Sequence, residues 1–353
     1  MFNTSSQILS FNQAINFVIV ALFIVLLSSG CTKNYDDYGP KTTDNGGEIP
    51  TTNQVLILNE GNFMFGNGSI SILDAHTDEV AQQVFKNANG FPLGDVPQSM
   101  VIHDSLGYII VNNSAKIEVI NMRDFSVVKT ITGFNSPRYM TVVSENPLIG
   151  WVTDLYADKI WKVNLDEGKI IGEIPAQGWH ENILKWNNNV VVLRKSDSVV
   201  KVLDINTEQT IQTYSFTTGV VDFGMYNDQE LMTLLPEGIQ RINLSTQNTQ
   251  LVHSFVPNRN PLRMSLDLKE DQMYFIDKSV YRYRFSNQLE TEVIESKSGS
   301  NYYGLLVDPK SSVVYVSDAK DYVQPGVVSR YTADFSDSIL YHVGINPQHI
   351  ITY

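Results

Sequence analysis

The chain has 353 residues, 42% of them hydrophobic and 18% charged, which is ordinary globular material and too much chain for a small disulfide-stapled fold. A net charge of −13 and a pI of about 4.9 exclude the basic footprint that a phosphate backbone requires, so nucleic acid is not an expected partner. A single cysteine excludes an internal disulfide.

The N-terminus is unlike the rest. Residues 17–27, FVIVALFIVLL, make an apolar run of signal-peptide length that is short for a bilayer span. Ser28, Ser29 and Gly30 follow, and then Cys31, the lone cysteine. Small residues before a cysteine at this place resemble the lipobox of bacterial lipoproteins. Ser28 stands where Leu is commoner, and residues 1–30 hold no Lys or Arg. The resemblance implies that residues 1–30 are removed and that Cys31 is acylated. Two or more acyl chains anchor stably where one does not. Residues 31–53 are polar, rich in Gly, Pro and Thr, and without periodicity, so they read as a flexible tether. Their Lys33 and Asp36-Asp37 loosely resemble the export signal of surface lipoproteins in the Bacteroides group, which places the expected location at the outer membrane, exposed on the cell surface.

From residue 54 onward one segment type recurs. It reads PQSMVIHD at Pro97, PRYMTVVS at Pro137, HENILKWN at His180, VVDFGMYN at Val220, PLRMSLDL at Pro261, NYYGLLVD at Asn301 and PQHIITY at Pro347. Successive offsets are 40, 43, 40, 41, 40 and 46 residues. A period near forty that holds only strand patterns matches a propeller blade of four strands. Second strands such as NNVVVLRK are continuous apolar runs, as burial on both faces requires. Third strands such as KIWKVNLD alternate, and turn clusters such as DEG, NTEQ and STQN precede the fourth strands. The stretches QVLILNEG, SISILDAH and EVAQQVF at the start are second, third and fourth strands without a first. PQHIITY at the end is a first strand without successors. The two ends complete one blade, so the expected fold is all-β, a seven-bladed β-propeller over residues 54–353 with no free sheet edge at its seam.

In such a ring the first strands line a channel, and the fourth-to-first and second-to-third connections gather at one mouth. Loops on a rigid scaffold are where binding residues concentrate. The connections at this mouth are rich in aromatic, amide and arginine side chains. The candidate ligand-binding residues drawn from them are Phe63, Asn112, Arg138, Tyr156, Trp179, His180, Glu181, Arg194, Arg259, Tyr302, Tyr322 and Gln348. Flat rings with a polar handle, mixed with directional donors and acceptors, suit a large ligand with a flat face and polar perimeter. They suit a peptide or glycan nearly as well. Asn and Asp in short loops also serve turn geometry, and Trp151 and Trp161 fall within strands and read as blade packing. Catalytic signals are thin: there is no phosphate loop, no paired-cysteine metal spacing and no nucleophile elbow. Propeller lactonases hold a divalent metal with channel Glu, Asn and Asp, and Glu60, Asn113 and Asp222 offer those residue types without a specific spacing.

The segments LNEGN at Leu58–Asn62, ANGFPLGDVPQSMVI at Ala88–Ile102, SPRYM at Ser136–Met140 and GWHENI at Gly178–Ile183 resemble the YncE-like surface propeller lipoproteins of Bacteroides and its relatives. The resemblance covers residues 54–353. The BtuG-type members bind cobalamin over the channel mouth and pass it to a TonB-dependent outer-membrane transporter. The resemblance therefore implies a non-catalytic binding lipoprotein for cobalamin or a related corrinoid, with that transporter as partner and no cofactor or metal of its own. A protein-interaction scaffold is the alternative function, and a metal-dependent hydrolase or lactonase the third.

Overall fold

The computed structural model describes residues 54–353. The expected signal segment, Cys31 and the tether lie outside the described residues. Strands β1 (Gln54–Asn59) to β28 (Pro347–Thr352) form seven four-stranded antiparallel sheets. Seven innermost strands pack around a central channel. They are β4 (Pro97–His103), β8 (Pro137–Glu145), β12 (His180–Trp186), β16 (Asp222–Met225), β20 (Arg263–Asp267), β24 (Tyr302–Val307) and β28.

The seam closes as the two orphan ends require. β28 pairs with β1, with Val55 opposite Thr352 and Leu58 opposite His349. β1 continues to β2 (Ser69–Asp74) and β3 (Glu79–Ala81), completing the first blade from both termini.

The continuous apolar second strands follow from burial on both faces. In β1 all six residues are buried. Leu56 and Leu58 pack toward Met100 and Ile109 of the next blade. Val55 and Ile57, pointing the other way, pack against Tyr315 and Val328 of the blade before. Period-two geometry thus serves two interfaces at once. Trp151 packs the same way, only 2% exposed, among Val143, Ile183 and Val192.

One element departs from the sequence expectation. The fourth strand of the first blade, read as EVAQQVF, stops after Ala81. Gln83 turns left-handed at φ 53°, and the chain enters a short helix, α1 (Val84–Asn89). That turn carries Phe85 into full burial beneath Phe125 and Ile120, and Phe91 meets it edge-on at 5.5 Å. Burying an aromatic ring outweighs two or three exposed ladder bonds at a sheet edge.

Candidate functional site

The mouth of the channel opens on a cavity of about 490 Å³. Its walls come from the starts of the innermost strands and from the connections that gather there. Five of the seven inner strands have a register shift near this end, for example between Pro97 and Ser99, between Pro137 and Met140, and between His180 and Ile183. A β-bulge breaks the alternation and lets successive side chains face the same side. Two adjacent columns of the repeat therefore meet in the cavity. The second column gives Gln98, Arg138, Glu181 and Gln348; the third gives Tyr139, Asn182, Asp222, Arg263 and Tyr303.

These polar groups hold one another. Arg138 donates through Nε to Glu181 at 2.9 Å, and a terminal nitrogen donates to Gln98. Gln98 donates to the Tyr139 hydroxyl at 3.3 Å. Asn182 donates to Asp222 at 2.7 Å, and Asp222 also accepts the Met264 amide at 3.1 Å. The Tyr303 hydroxyl donates to Glu60 at 2.9 Å. Burial pushes the Glu60 and Asp222 carboxyls above their usual range, against the pull of Arg263 and other neighbours. The Tyr303 phenol is pushed far up, by burial first and by Glu60 second, so it stays a proton donor. Deeper in, burial together with the Arg263 charge lowers His349 to about 4 and keeps it neutral.

The rim is built on carboxylates that fold the loops. Buried Asp154 accepts the backbone amides of Asn135, Ser136 and Tyr156 at 2.9 to 3.1 Å and the Trp161 indole N–H at 3.0 Å. This fixes the turn that presents Tyr156, which is 65% exposed. Asp95 accepts the Met64 amide at 2.7 Å and the Asn113 side chain at 2.5 Å, holding the tip that carries Phe63. Asp318 accepts the amides of Asn301 and Lys320 at 2.7 and 2.8 Å.

The structure divides the sequence candidates. Phe63, Asn112, Arg138, Tyr156, Glu181 and Gln348 line the cavity. Asn112 does so while bracing two blades, donating to Ser136 at 2.9 Å and to the Pro137 carbonyl at 3.0 Å. Trp179 and Tyr322 stand one contact away, Trp179 edge-on to Tyr156 at 6.3 Å and Tyr322 edge-on to Tyr303 at 5.7 Å. The other four are engaged elsewhere. His180 is fully buried and lines a separate cavity of about 190 Å³ with Lys201 and Leu203. Arg194 is clamped to Asp197. Arg259 pairs with Glu290 and lies over the Tyr281 ring at 4.3 Å. The Tyr302 hydroxyl donates to the Glu295 carbonyl at 3.2 Å. Glu60 and Asp222 line the cavity, but Asn113 is turned to Asp95. Among the described residues no cluster of three His, Cys, Asp or Glu side chains is placed to hold a metal ion.

Sequence reasoning missed Tyr139, Asn182, Arg263 and Tyr303 because it drew candidates from connections. The signal was present: all four occupy the third position of the aligned repeat segments.

Fold and site together define a seven-bladed propeller with a polar, internally paired cavity under an aromatic rim. Residues 53–341 match the family model for a domain of unknown function, DUF5074, and the chain belongs to that family. No curated protein matches the sequence. Among solved structures, the chain is similar to a quinoprotein alcohol dehydrogenase-like protein from Bacteroides thetaiotaomicron. That likeness has 15% identity and a TM-score of 0.69, covering 87% of this chain and 79% of the other. It is also similar to a dihydro-heme d1 dehydrogenase, at 13% identity, 89% and 79% coverage and a TM-score of 0.58. The WD40 domain of Neurospora crassa Pan2 gives 10% identity, 75% and 83% coverage and a TM-score of 0.59. At such identities the likeness concerns the fold alone.

Proposed function

We propose that this propeller is a non-catalytic binding protein that captures cobalamin or a related corrinoid at the channel mouth and passes it to a TonB-dependent outer-membrane transporter. In this reading the protein is held at the cell surface by lipid on Cys31. One observation carries the binding role. Among the described residues, five of the six strongly exposed aromatic side chains sit on connections at the mouth: Phe63, Phe65, Tyr156, Trp179 and Tyr322. A flat macrocycle resting on such rings buries apolar area on both partners, and the polar cavity beneath meets its amide fringe. The cavity volume lies within the ordinary range for small-ligand sites, and a side group of the ligand rather than its whole ring enters it.

Calorimetry and thermal unfolding with cyanocobalamin test the reading. Tight binding raises the unfolding temperature by mass action. No heat and no shift would sink it. Lipid attachment is checked by acyl labelling, which Cys31→Ala must abolish.

A second reading, a protein-interaction scaffold on the same face, is favoured by the tip Phe63-Met64-Phe65, exposed at 64, 77 and 78%. Three adjacent apolar side chains held out to solvent are usual at protein contacts. Recovery of the transporter with the wild-type protein but not with a Phe65→Ser variant, with corrinoid binding intact, would assign the tip to the partner.

A further inference from the structure

We propose that the rim between the third and fourth blades is a subsite for a planar base that carries a phosphate: Tyr156 and Trp179 hold the base, and the Lys195 ammonium holds the phosphate. This deepens the corrinoid reading and rests on it for the source of that group, since a complete cobalamin carries a benzimidazole nucleotide beside its macrocycle.

Two observations converge at this place. The first is an open aromatic corner. The Tyr156 and Trp179 rings stand edge-on, 87° apart with centroids at 6.3 Å, and the two residues are 65 and 52% exposed. A flat ring that enters such a corner stacks on one face and meets the edge of the other. The corner is held by its backbone. Asp154 accepts the Tyr156 amide at 3.1 Å, and Asp158 accepts the Gly178 amide at 2.8 Å.

The second is a cation without a counter-ion. Of the three bases that line the cavity, Arg138 and Arg263 are largely buried and Lys195 alone is exposed. Among the described residues no carboxylate lies within ion-pair distance of the Lys195 ammonium. Arg138 is paired with Glu181, and its neighbour in sequence, Arg194, with Asp197. Asp222 feels the Lys195 charge from beyond contact distance and is itself held by Asn182 and the Met264 amide. The surroundings are positive as well: burial first, and the Arg194 charge next, hold the Lys201 ammonium below its usual range. In a chain of net charge −13 this is a local exception.

Gly178 joins the two features. Its φ is +91°, and a Cβ there would stand 2.4 Å from the Ser196 hydroxyl. That close approach lets the Lys195 amide donate to the Trp179 carbonyl at 2.8 Å, so the cation and the ring belong to adjoining stretches of backbone. An ammonium is a point charge that suits phosphate without a fixed approach.

The test uses the full chain in mild detergent and two probes that need no corrinoid, AMP and adenosine, compared by ligand-observed NMR. At low salt AMP is expected to bind about fivefold more tightly than adenosine, as a partly exposed ion pair allows. The lead must shrink at high salt. Lys195→Met must remove the lead and leave adenosine binding, Lys195→Arg must keep it, and Trp179→Leu must lose both probes. Equal binding of AMP and adenosine, a lead that survives Lys195→Met, or binding of neither overturns the proposal. A separate arm compares cyanocobalamin with dicyanocobinamide, which lacks the nucleotide. Cyanocobalamin must bind the more tightly of the two. Equal binding removes the subsite and leaves corrinoid capture standing. AMP binding that depends on Lys195, with neither corrinoid bound, removes corrinoid capture and leaves the subsite.

Discussion

The two faces of the propeller solve different problems with the same kind of connection. On the face away from the mouth, the turns between third and fourth strands are seven versions of one device. Each has a left-handed residue at the equivalent place: Asp78, Phe125, Gly168, Glu208, Gln247, Gln288 and Phe335. Asp and Asn close these turns with their side chains. Asp204 accepts the amides of Asn206 and Thr207 at 3.1 and 2.8 Å, and Asn243 those of Ser245 and Thr246 at 3.1 and 2.8 Å. On the mouth face Asp154 and Asp318 repeat one amide-accepting device, but the side chains that the connections present differ from blade to blade. Among the described residues the far face exposes one large apolar side chain in its turns, Leu268, whereas the mouth connections expose Phe63, Phe65, Tyr156, Trp179 and Tyr322. Charge follows the same division. Near the mouth, burial displaces Glu60 and Asp222 upward and His180 and His349 downward. On the far face, hydrogen bonds within turns hold Asp124, Asp204 and Asp334 below the usual carboxylate range. Repetition marks the scaffold, and divergence on a repeated frame marks the site.

Acid separates the faces most strongly. His180 and His349 stay neutral in the fold down to about 4, while the unfolded chain takes up protons near 6.5. The unfolded state therefore binds more protons between those values, and stability falls as the pH drops from 6.5 to 4. Each histidine contributes at most about 3 kcal/mol. Glu60 and Asp222, with raised values, oppose the loss, so the contribution is read as a difference: urea unfolding of His349→Asn against the wild type at neutral pH and at pH 4.5. The variant must show the shallower pH dependence. The far-face carboxylates act in a lower window. The stability from Asp334 is present above 3.8 and is lost as the pH falls toward about 2. Asp334→Asn must therefore leave the histidine window unchanged.

Breaking the buried pair at the mouth comes next. Arg138→Met leaves Glu181 and Gln98 without their cation and is expected to cost about 3 kcal/mol in denaturant unfolding. Adding Glu181→Gln must restore part of it, because the uncompensated charge is gone. Trp179→Ala is expected to weaken corrinoid binding by about 2 kcal/mol in calorimetry while stability stays within about 0.5 kcal/mol. Leu268→Ser on the far face must change neither binding nor stability by more than about 0.5 kcal/mol. Smallest is the turn itself. Gln247 is exposed and left-handed at φ 62°, and Gln247→Gly is expected to stabilise by roughly 0.5 kcal/mol, since glycine enters that region without a Cβ penalty. A loss instead would show that this turn is held by its side chain.

The blade count and the closure from both termini were legible because strand geometry writes itself into period and burial. The second strands are apolar throughout because each packs two neighbours, as β1 does with Leu56 and Val55 on opposite sides. Half of the candidate site was legible too, through residues such as Arg138 and Tyr156 whose places in the repeat put them near the mouth. Trp179 and Arg259 show the limit. Both sit in mouth connections, yet one is held out beside Tyr156 and the other is locked onto Glu290 and Tyr281. Loop position does not say which partner a long side chain finds.

The sequence by itself determined the seven-bladed ring, since a forty-residue period and two complementary ends admit one closure. Only the tertiary structure decided the channel mouth. There the register shifts in the inner strands turn adjacent residues toward one cavity, and five blades far apart in sequence bring Glu60, Arg138, Asp222, Arg263 and Tyr303 within each other's fields. Local periodicity records which face of a strand is buried, but the pairing of charges across a ring depends on distances that only closure sets.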